Sequence, residues 1–232
     1  MDSRFAHLTH VFLDADDTLW ESDIFFRKAE AEYVEYMSPY ASADVAADML
    51  RRKQEENIPV FGYGSKTYML GMLDAAAALC PYSFDQKMYR DIKGIVTELT
   101  MHRFEFLEGA KEVVMALSER YKVVIATKGE LSEQMRKYRL SGLAKYVTAI
   151  EVMERKTSED YRNMAVKFGL DPSDMLMVGN AVRSDIAPVI SIGGWAAYIP
   201  YKITWEHEVM PLPDSPRVIQ LDSLIRLKEI LL

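Results

Sequence analysis

The sequence predicts an α/β fold: a parallel sheet covered by helices, interrupted once by an all-helical block. Three observations predict it. Short apolar runs at residues 11–13, 123–126 and 175–178 read as strands buried on both faces, and they are too short for helices. After residue 103, helical stretches alternate with such runs, which implies right-handed crossovers between parallel strands. Between residues 20 and 102 the period is helical throughout, with no strand-like alternation.

In chain order, Val11-Phe12-Leu13 is the first strand, and it ends in Asp14-Ala15-Asp16-Asp17-Thr18-Leu19. Four apolar stripes follow. Phe25, Ala29, Tyr33 and Met37 recur every four residues, and Val45, Ala46, Met49 and Leu50 make the second stripe. Met69, Met72, Leu73 and Ala76 make the third, and Met88, Ile92, Ile95, Val96 and Leu99 the fourth. Such stripes are the core of a helical block. Pro59-Val60-Phe61-Gly62-Tyr63-Gly64 and Pro81-Tyr82-Ser83 are expected to break its helices. Next come a helix after Gly109, a strand at 123–126, a helix over 134–140, a shorter strand near 147–150 and a helix over 158–168. A strand at 175–178, a helix over 185–192, strands at 195–199 and 218–221 and a terminal helix complete the pattern. The expected division is a core of residues 1–19 and 103–232 and an inserted helical domain of residues 20–102.

Composition limits the function. Of 232 residues, 49% are hydrophobic and 11% aromatic, enough for a packed core. A formal net charge of −7 argues against a nucleic-acid partner, which needs a basic face. No apolar stretch reaches membrane-spanning length and the N-terminus lacks a signal-peptide pattern, so no membrane partner is expected. The single cysteine, Cys80, allows no internal disulfide, which fits a reducing cytoplasm, and its Ala-rich context suits a buried thiol.

The chemistry gathers where strands end. Asp14 and Asp16 stand at the carboxyl edge of the first strand, where ligands bind in open α/β sheets. Carboxylates this close repel unless a cation lies between them or one holds a proton. The pattern therefore calls for a metal, an acid/base pair or both, unless it is turn and helix-cap chemistry alone. The strand at 123–126 runs into Thr127-Lys128-Gly129, whose hydroxyl and free amides suit a phosphate oxygen. Lys156 opens the helix after the third strand and offers positive charge near the carboxylates. Gly179-Asn180 and Asp185 follow the fourth strand: the glycine permits close backbone approach, and the other two carry oxygen ligands for a hard cation.

Together these residues resemble the haloacid dehalogenase superfamily, most closely its phosphatase branch. Asp14-Ala15-Asp16-Asp17-Thr18 resembles the first family motif, Thr127 the second, Lys156 the third, and Gly179-Asn180 with Asp185 the fourth. The resemblance implies a Rossmann-like parallel sheet with a helical cap between the first and second motifs, hinged near residues 20–22 and 102–105. It implies a magnesium-dependent phosphomonoesterase acting on a small soluble phosphate ester. Asp14 would be the nucleophile and Asp16 the acid/base. Thr127 and Lys156 would hold the phosphoryl group, with Lys128, Trp20 and Glu21 near the substrate. Asp14, the Asp16 carbonyl, Asn180 and Asp185 would surround Mg²⁺. Two positions depart from the family pattern: Asn180 stands where Asp is frequent, and Lys128 where Asn is frequent. The resemblance also admits two other readings. One is a carbon–halogen hydrolase, disfavoured because such members lack the second aspartate; the other is a non-catalytic binding protein. Trp205 and His207 stand in an aromatic loop past the last long strand, as anchors or pocket residues. Neither the physiological substrate nor the oligomeric state is readable.

Overall fold

The computed structural model describes residues 2–102, 105–203, 205 and 208–232. Strand β1 (His10–Leu13) is wholly buried. Helices α1 (Asp23–Tyr36), α2 (Ala43–Phe61), α3 (Ser65–Leu79) and α4 (Gln86–Met101) follow it. The remainder is α5 (Ala110–Ser118), β2 (Lys122–Lys128), α6 (Leu131–Ser141), β3 (Ala149–Met153) and α7 (Ser158–Phe168), then β4 (Met175–Gly179), α8 (Ala187–Ser191), β5 (Trp195–Tyr198), β6 (Val218–Gln220) and α9 (Arg226–Leu231).

The six strands form one parallel sheet in the order β3-β2-β1-β4-β5-β6. Central β1 pairs Leu13 with Ile125 on one side and with Val178 on the other. The order reverses at β1, so the crevice beyond its carboxyl end, between the loops of β1, β2 and β4, is where this topology places ligands. One face of the sheet buries Val11, Leu13, Val123 and Ile125 with Val113, Val114 and Leu117 of α5. The other buries Phe12, Val124 and Met177 with Tyr161, Met164 and Ala165 of α7. Burial on both faces explains why these strands read as unbroken apolar runs.

Contacts divide the chain into two compact units, residues 1–23 with 104–232 and residues 24–103. The break near the N-terminus therefore falls four residues later than the 19/20 boundary drawn from periodicity. Trp20 is fully buried with the sheet's apolar core, and the Ser22 and Asp23 amides donate to the Asp17 carboxylate, which ties residues 20–23 to the α/β unit. In the helical unit, Tyr33, Met37, Leu50, Met72 and Ile92 are fully buried, each from one of the four stripes. Cys80 is buried, its thiol donates to the Ala76 carbonyl at 3.0 Å, and burial pushes its pKa up. No helix among the described residues is long and apolar enough to cross a membrane.

The break expected over residues 59–64 is present between α2 and α3, and its position follows from the backbone. Helix α2 runs through Pro59 to Phe61. So near a C-terminus the missing amide costs one hydrogen bond only, and Gly62 (φ 76°) closes the helix by donating to the Ile58 carbonyl at 2.9 Å. Of the helix expected over 185–192, residues 187–191 form α8, and a π-helical turn, Val182–Ile186, leads into it.

Candidate active site

Asp14 is the first residue beyond β1, and its amide donates to the Val178 carbonyl at 2.8 Å. That bond continues the β1–β4 ladder and points the side chain into the crevice. Its Oδ1 accepts from Lys156 Nζ at 2.5 Å and its Oδ2 from Thr18 Oγ1 at 3.0 Å. Lys156 also donates to Asp185 Oδ1 at 2.6 Å. All three side chains are at least nine-tenths buried. Lys156 is held by the start of α7, where Thr157 and Asp160 form a reciprocal capping box. Burial pulls the Lys156 pKa down, but Asp14 and Asp185 outweigh it and hold the ammonium protonated. Burial pushes the Asp185 carboxyl up despite Lys156, and the charge of Asp14 adds to the rise.

The π-helical turn and Gly179 together deliver Asp185. Its Oδ2 accepts from the Ala181 amide at 3.0 Å. A Cβ at Gly179 would lie 2.2 Å from that same oxygen, so only glycine fits there. Asn180 turns its carboxamide toward Thr18, Asp14 and Asp16. The Thr18 hydroxyl has one proton and gives it to Asp14, so the favoured amide orientation directs Nδ2, with two protons to give, toward three acceptors: Thr18 Oγ1 (3.2 Å), Asp14 Oδ2 (3.3 Å) and the Asp16 carbonyl (3.3 Å). In this orientation Asn180 braces Asp14 Oδ2 and the Asp16 carbonyl, oxygens expected to meet a metal. Thr127, near the end of β2, is buried, and its Oγ1 has no hydrogen-bond partner among the described residues. A buried hydroxyl without a partner is costly unless a ligand supplies one.

Asp16 points another way. Lys137 Nζ donates to both of its carboxylate oxygens, at 2.8 and 2.9 Å, Gln134 Nε2 donates to Oδ2 at 2.9 Å and Trp20 Nε1 to Oδ1 at 2.7 Å. Burial pushes its carboxyl up, but the Lys137 ammonium and these bonds reverse the direction, and the net shift is down. With Asp16 turned to Lys137, no three acidic, histidine or cysteine side chains cluster as a metal cage among the described residues.

Four loops from adjacent strands thus meet at one sheet edge. The sequence model for haloacid dehalogenase-like hydrolases matches residues 8–193. The chain belongs to this hydrolase family. A haloacid dehalogenase-like family hydrolase from Xanthomonas campestris is 32% identical, with a TM-score of 0.84 over 95% of this chain and 88% of its own. A 2-haloacid dehalogenase from Pseudomonas syringae pv. tomato is 18% identical, with a TM-score of 0.66 over 97% and 98%. A predicted phosphoglycolate phosphatase from Haemophilus somnus is 16% identical, with a TM-score of 0.66 over 97% and 98%. The last two likenesses are of fold. No curated protein matches the chain in sequence.

In this haloacid dehalogenase-like hydrolase three residues expected near the substrate have partners within the protein. Trp20 is fully buried and its indole donates to Asp16, so it does not present a surface to substrate. Glu21 accepts from the Tyr201 hydroxyl and from Lys202 Nζ (3.0 Å), which makes it an anchor for the segment after β5. Lys128 pairs with Glu208 and donates to Ser184 Oγ at 3.2 Å, and its ammonium lies 5.8 Å from the Trp205 ring centroid. Its charge is therefore answered within the protein. His207 lies outside the described residues. Lys137, Gln134 and Glu208 were missed in the sequence. Gln134, Lys137 and Ser141 share one buried face of α6 at helical spacing, and that run of polar residues on a core face was the available signal.

Asp17 completes the loop and has its own pH signature. It sits at φ 61°, and its Oδ1 accepts from the Ser22 amide at 2.8 Å. Burial lifts its carboxyl to about 8; the charges of Asp23 and Asp16 add to the rise, and the Ser22 and Asp23 amides oppose it. An unfolded chain gives up this proton near 3.8. Between those values the folded state holds more protons than the unfolded one, so stability falls as pH rises, by at most ~1.4 kcal/mol per pH unit from this group. Asn accepts the same amides and tolerates the left-handed backbone. Asp17→Asn is therefore expected to flatten the dependence and to gain most near pH 8. Urea unfolding in chelator at pH 5.5 and pH 8 checks this; an equal change at both would show that Asp17 is already ionised in the folded protein.

Proposed function

We propose that this hydrolase is a magnesium-dependent phosphomonoesterase that acts on small phosphate esters through an aspartyl-phosphate on Asp14. One observation carries the reading: a buried carboxylate held by a lysine is followed, two residues on, by a second carboxylate with its own set of donors. Phosphoryl transfer to a carboxylate needs a nucleophile and, for the leaving alkoxide, a separate proton donor. Carbon–halogen hydrolysis has a halide as leaving group and needs no such donor, so Asp16 favours the phosphatase over the dehalogenase reading. The 2-haloacid dehalogenase likeness is one of fold, and it does not weigh against this.

In the proposed reaction Asp14 attacks phosphorus. Asp16, which must take up a proton in place of one of the bonds from Lys137, protonates the leaving oxygen, then accepts a proton from the water that hydrolyses the intermediate. Lys156 neutralises charge on the phosphoryl oxygens, and Thr127 donates its unpartnered hydroxyl to one of them.

The donor set suits Mg²⁺. Asp14 and Asp185 bring two buried carboxylates against the single positive charge of Lys156; burial raises Asp185, and the charge of Asp14 adds to the rise. Mg²⁺ takes one or two carboxylates and keeps several waters, so no three-carboxylate cage is required. Asp14, the Asp16 carbonyl and Asp185 would hold it, with Asn180 behind them. Bound there, it would supply charge stabilisation to the phosphoryl oxygens.

Purified protein is expected to hydrolyse p-nitrophenyl phosphate with Mg²⁺ and to lose at least 90% of that rate in excess chelator. Equal rates in both would overturn the metal assignment. Halide release from a 2-haloacid, with no phosphate release from the ester, would favour the dehalogenase reading.

A further inference from the structure

The Asp16 carboxylate is held by a structure that the reaction scheme leaves unused. Four hydrogen bonds converge on its two oxygens: Trp20 Nε1 and Lys137 Nζ on Oδ1, and Gln134 Nε2 and Lys137 Nζ on Oδ2. A carboxylate offers about four acceptor positions, so this one is saturated. Its donors are themselves fixed. The Lys137 side chain is 4% exposed, with the Glu133 carboxylate 3.7 Å from its ammonium. Trp20 is fully buried. Gln134 Nε2 donates also to the Lys128 carbonyl at 3.0 Å, and a Cβ at Gly129 would stand 3.0 Å from that nitrogen. Gln134 therefore joins Asp16 to the end of β2, one residue beyond Thr127.

A buried ammonium is expensive to place, and a protein keeps one where its partner's position matters or where the pair is structural. The surroundings of Lys137 favour the first. Its bonds run to the acid/base group and not to Asp14, Asp185 or Thr127, and they are bidentate, which fixes both rotation and tilt of the carboxylate. A free aspartate in an open loop would sample several rotamers, and a misplacement of about 1 Å in a reacting group costs on the order of 10²-fold in rate.

We infer that Lys137 is a positioning residue for Asp16. It acts, with Gln134 and Trp20, by fixing the rotation and tilt of that carboxylate. The inference rests on the phosphatase reading, because it assigns Lys137 an effect only through the acid/base role of Asp16.

The test is a double-mutant cycle on two substrates, p-nitrophenyl phosphate and an alkyl phosphate, in Mg²⁺. In the unsubstituted protein, Lys137→Met is expected to lower kcat on the alkyl ester by roughly 10- to 100-fold. The loss on the aryl ester should be several-fold smaller, because that leaving group needs little protonation, and KM should stay within about twofold. In an Asp16→Asn background, the same substitution should lower kcat no further. Lys137→Arg, which keeps two donors on one carboxylate, should recover part of the loss. If Lys137→Met does not fold, Lys137→Gln is read in the same cycle. Equal losses on both esters, or equal losses in both backgrounds, would give Lys137 a merely structural role and overturn the inference alone. No turnover of either ester by the unsubstituted protein would overturn the phosphatase reading and the inference together.

Discussion

Asp14→Ala will abolish turnover of p-nitrophenyl phosphate, by at least ~10⁴-fold in kcat, while the protein stays folded. The size of the effect follows from chemistry. Removing the atom that forms the covalent bond leaves only cradle and metal contributions, and groups that act as one unit lose nearly everything when the nucleophile goes. The fold survives because the change relieves charge. Asp14 and Asp185 share one ammonium, and without Asp14 the Lys156–Asp185 pair at 2.6 Å is balanced. The amide that anchors Asp14 to Val178 is backbone and remains. Steady-state kinetics with circular dichroism on the same sample checks both halves. A variant within ~10²-fold of the unsubstituted rate would mean that another group attacks phosphorus.

Lys156→Met is expected to damage both activity and stability. Its ammonium is the cation between two carboxylates that are each at least nine-tenths buried. Breaking a buried ion pair by removing one partner costs about 3–5 kcal/mol, because the surviving charge cannot be solvated. Here two charges survive. Turnover should fall by at least ~10²–10³-fold, the usual loss for one preorganised donor to a developing charge. Urea unfolding with and without Mg²⁺ separates the effects: saturating metal should return part of the stability but not the rate. A stability within ~1 kcal/mol of the unsubstituted protein, in chelator, would show that Asp14 and Asp185 share a proton and do not depend on Lys156.

Much of this architecture was readable because the central strands are buried on both faces. Val123-Val124-Ile125-Ala126 and Met175-Leu176-Met177-Val178 have no polar side to confuse with a helix, and both became strands. The bounds of α7 were legible to the residue, since Thr157 and Gly169 cap it at each end. The break at residues 59–64 was legible too, although Pro59 itself lies in the last turn of α2 and Gly62 and Gly64 make the stop and the new start. The π-helical turn at Val182–Ile186 has no propensity signal. The four motif loops were legible as chemistry at strand ends, and the sheet order brings those four strands side by side. What the sequence could not show was direction. Asp16 stands two residues from Asp14, yet its carboxylate faces α6, and Trp20 looked available for substrate until its indole proved to be core. A residue's neighbours across space set such orientations, and Lys137, 121 positions from Asp16, is one of them.

The placement of β1 has a consequence for how the protein is made. This strand is the centre of the sheet and the first one synthesised, yet it pairs only with β2 and β4, and roughly a hundred residues separate it from the nearer partner in sequence. At about 5–20 residues per second of translation, His10-Val11-Phe12-Leu13 waits on the order of 5–20 seconds with its apolar edge exposed. The intervening helices fold through local contacts and can form meanwhile, whereas the sheet must close distant pairings before the catalytic loops exist. The nascent chain thus carries a sticky central strand and an already ordered helical segment at once, and its vulnerable interval on the ribosome is set by the length of the insert.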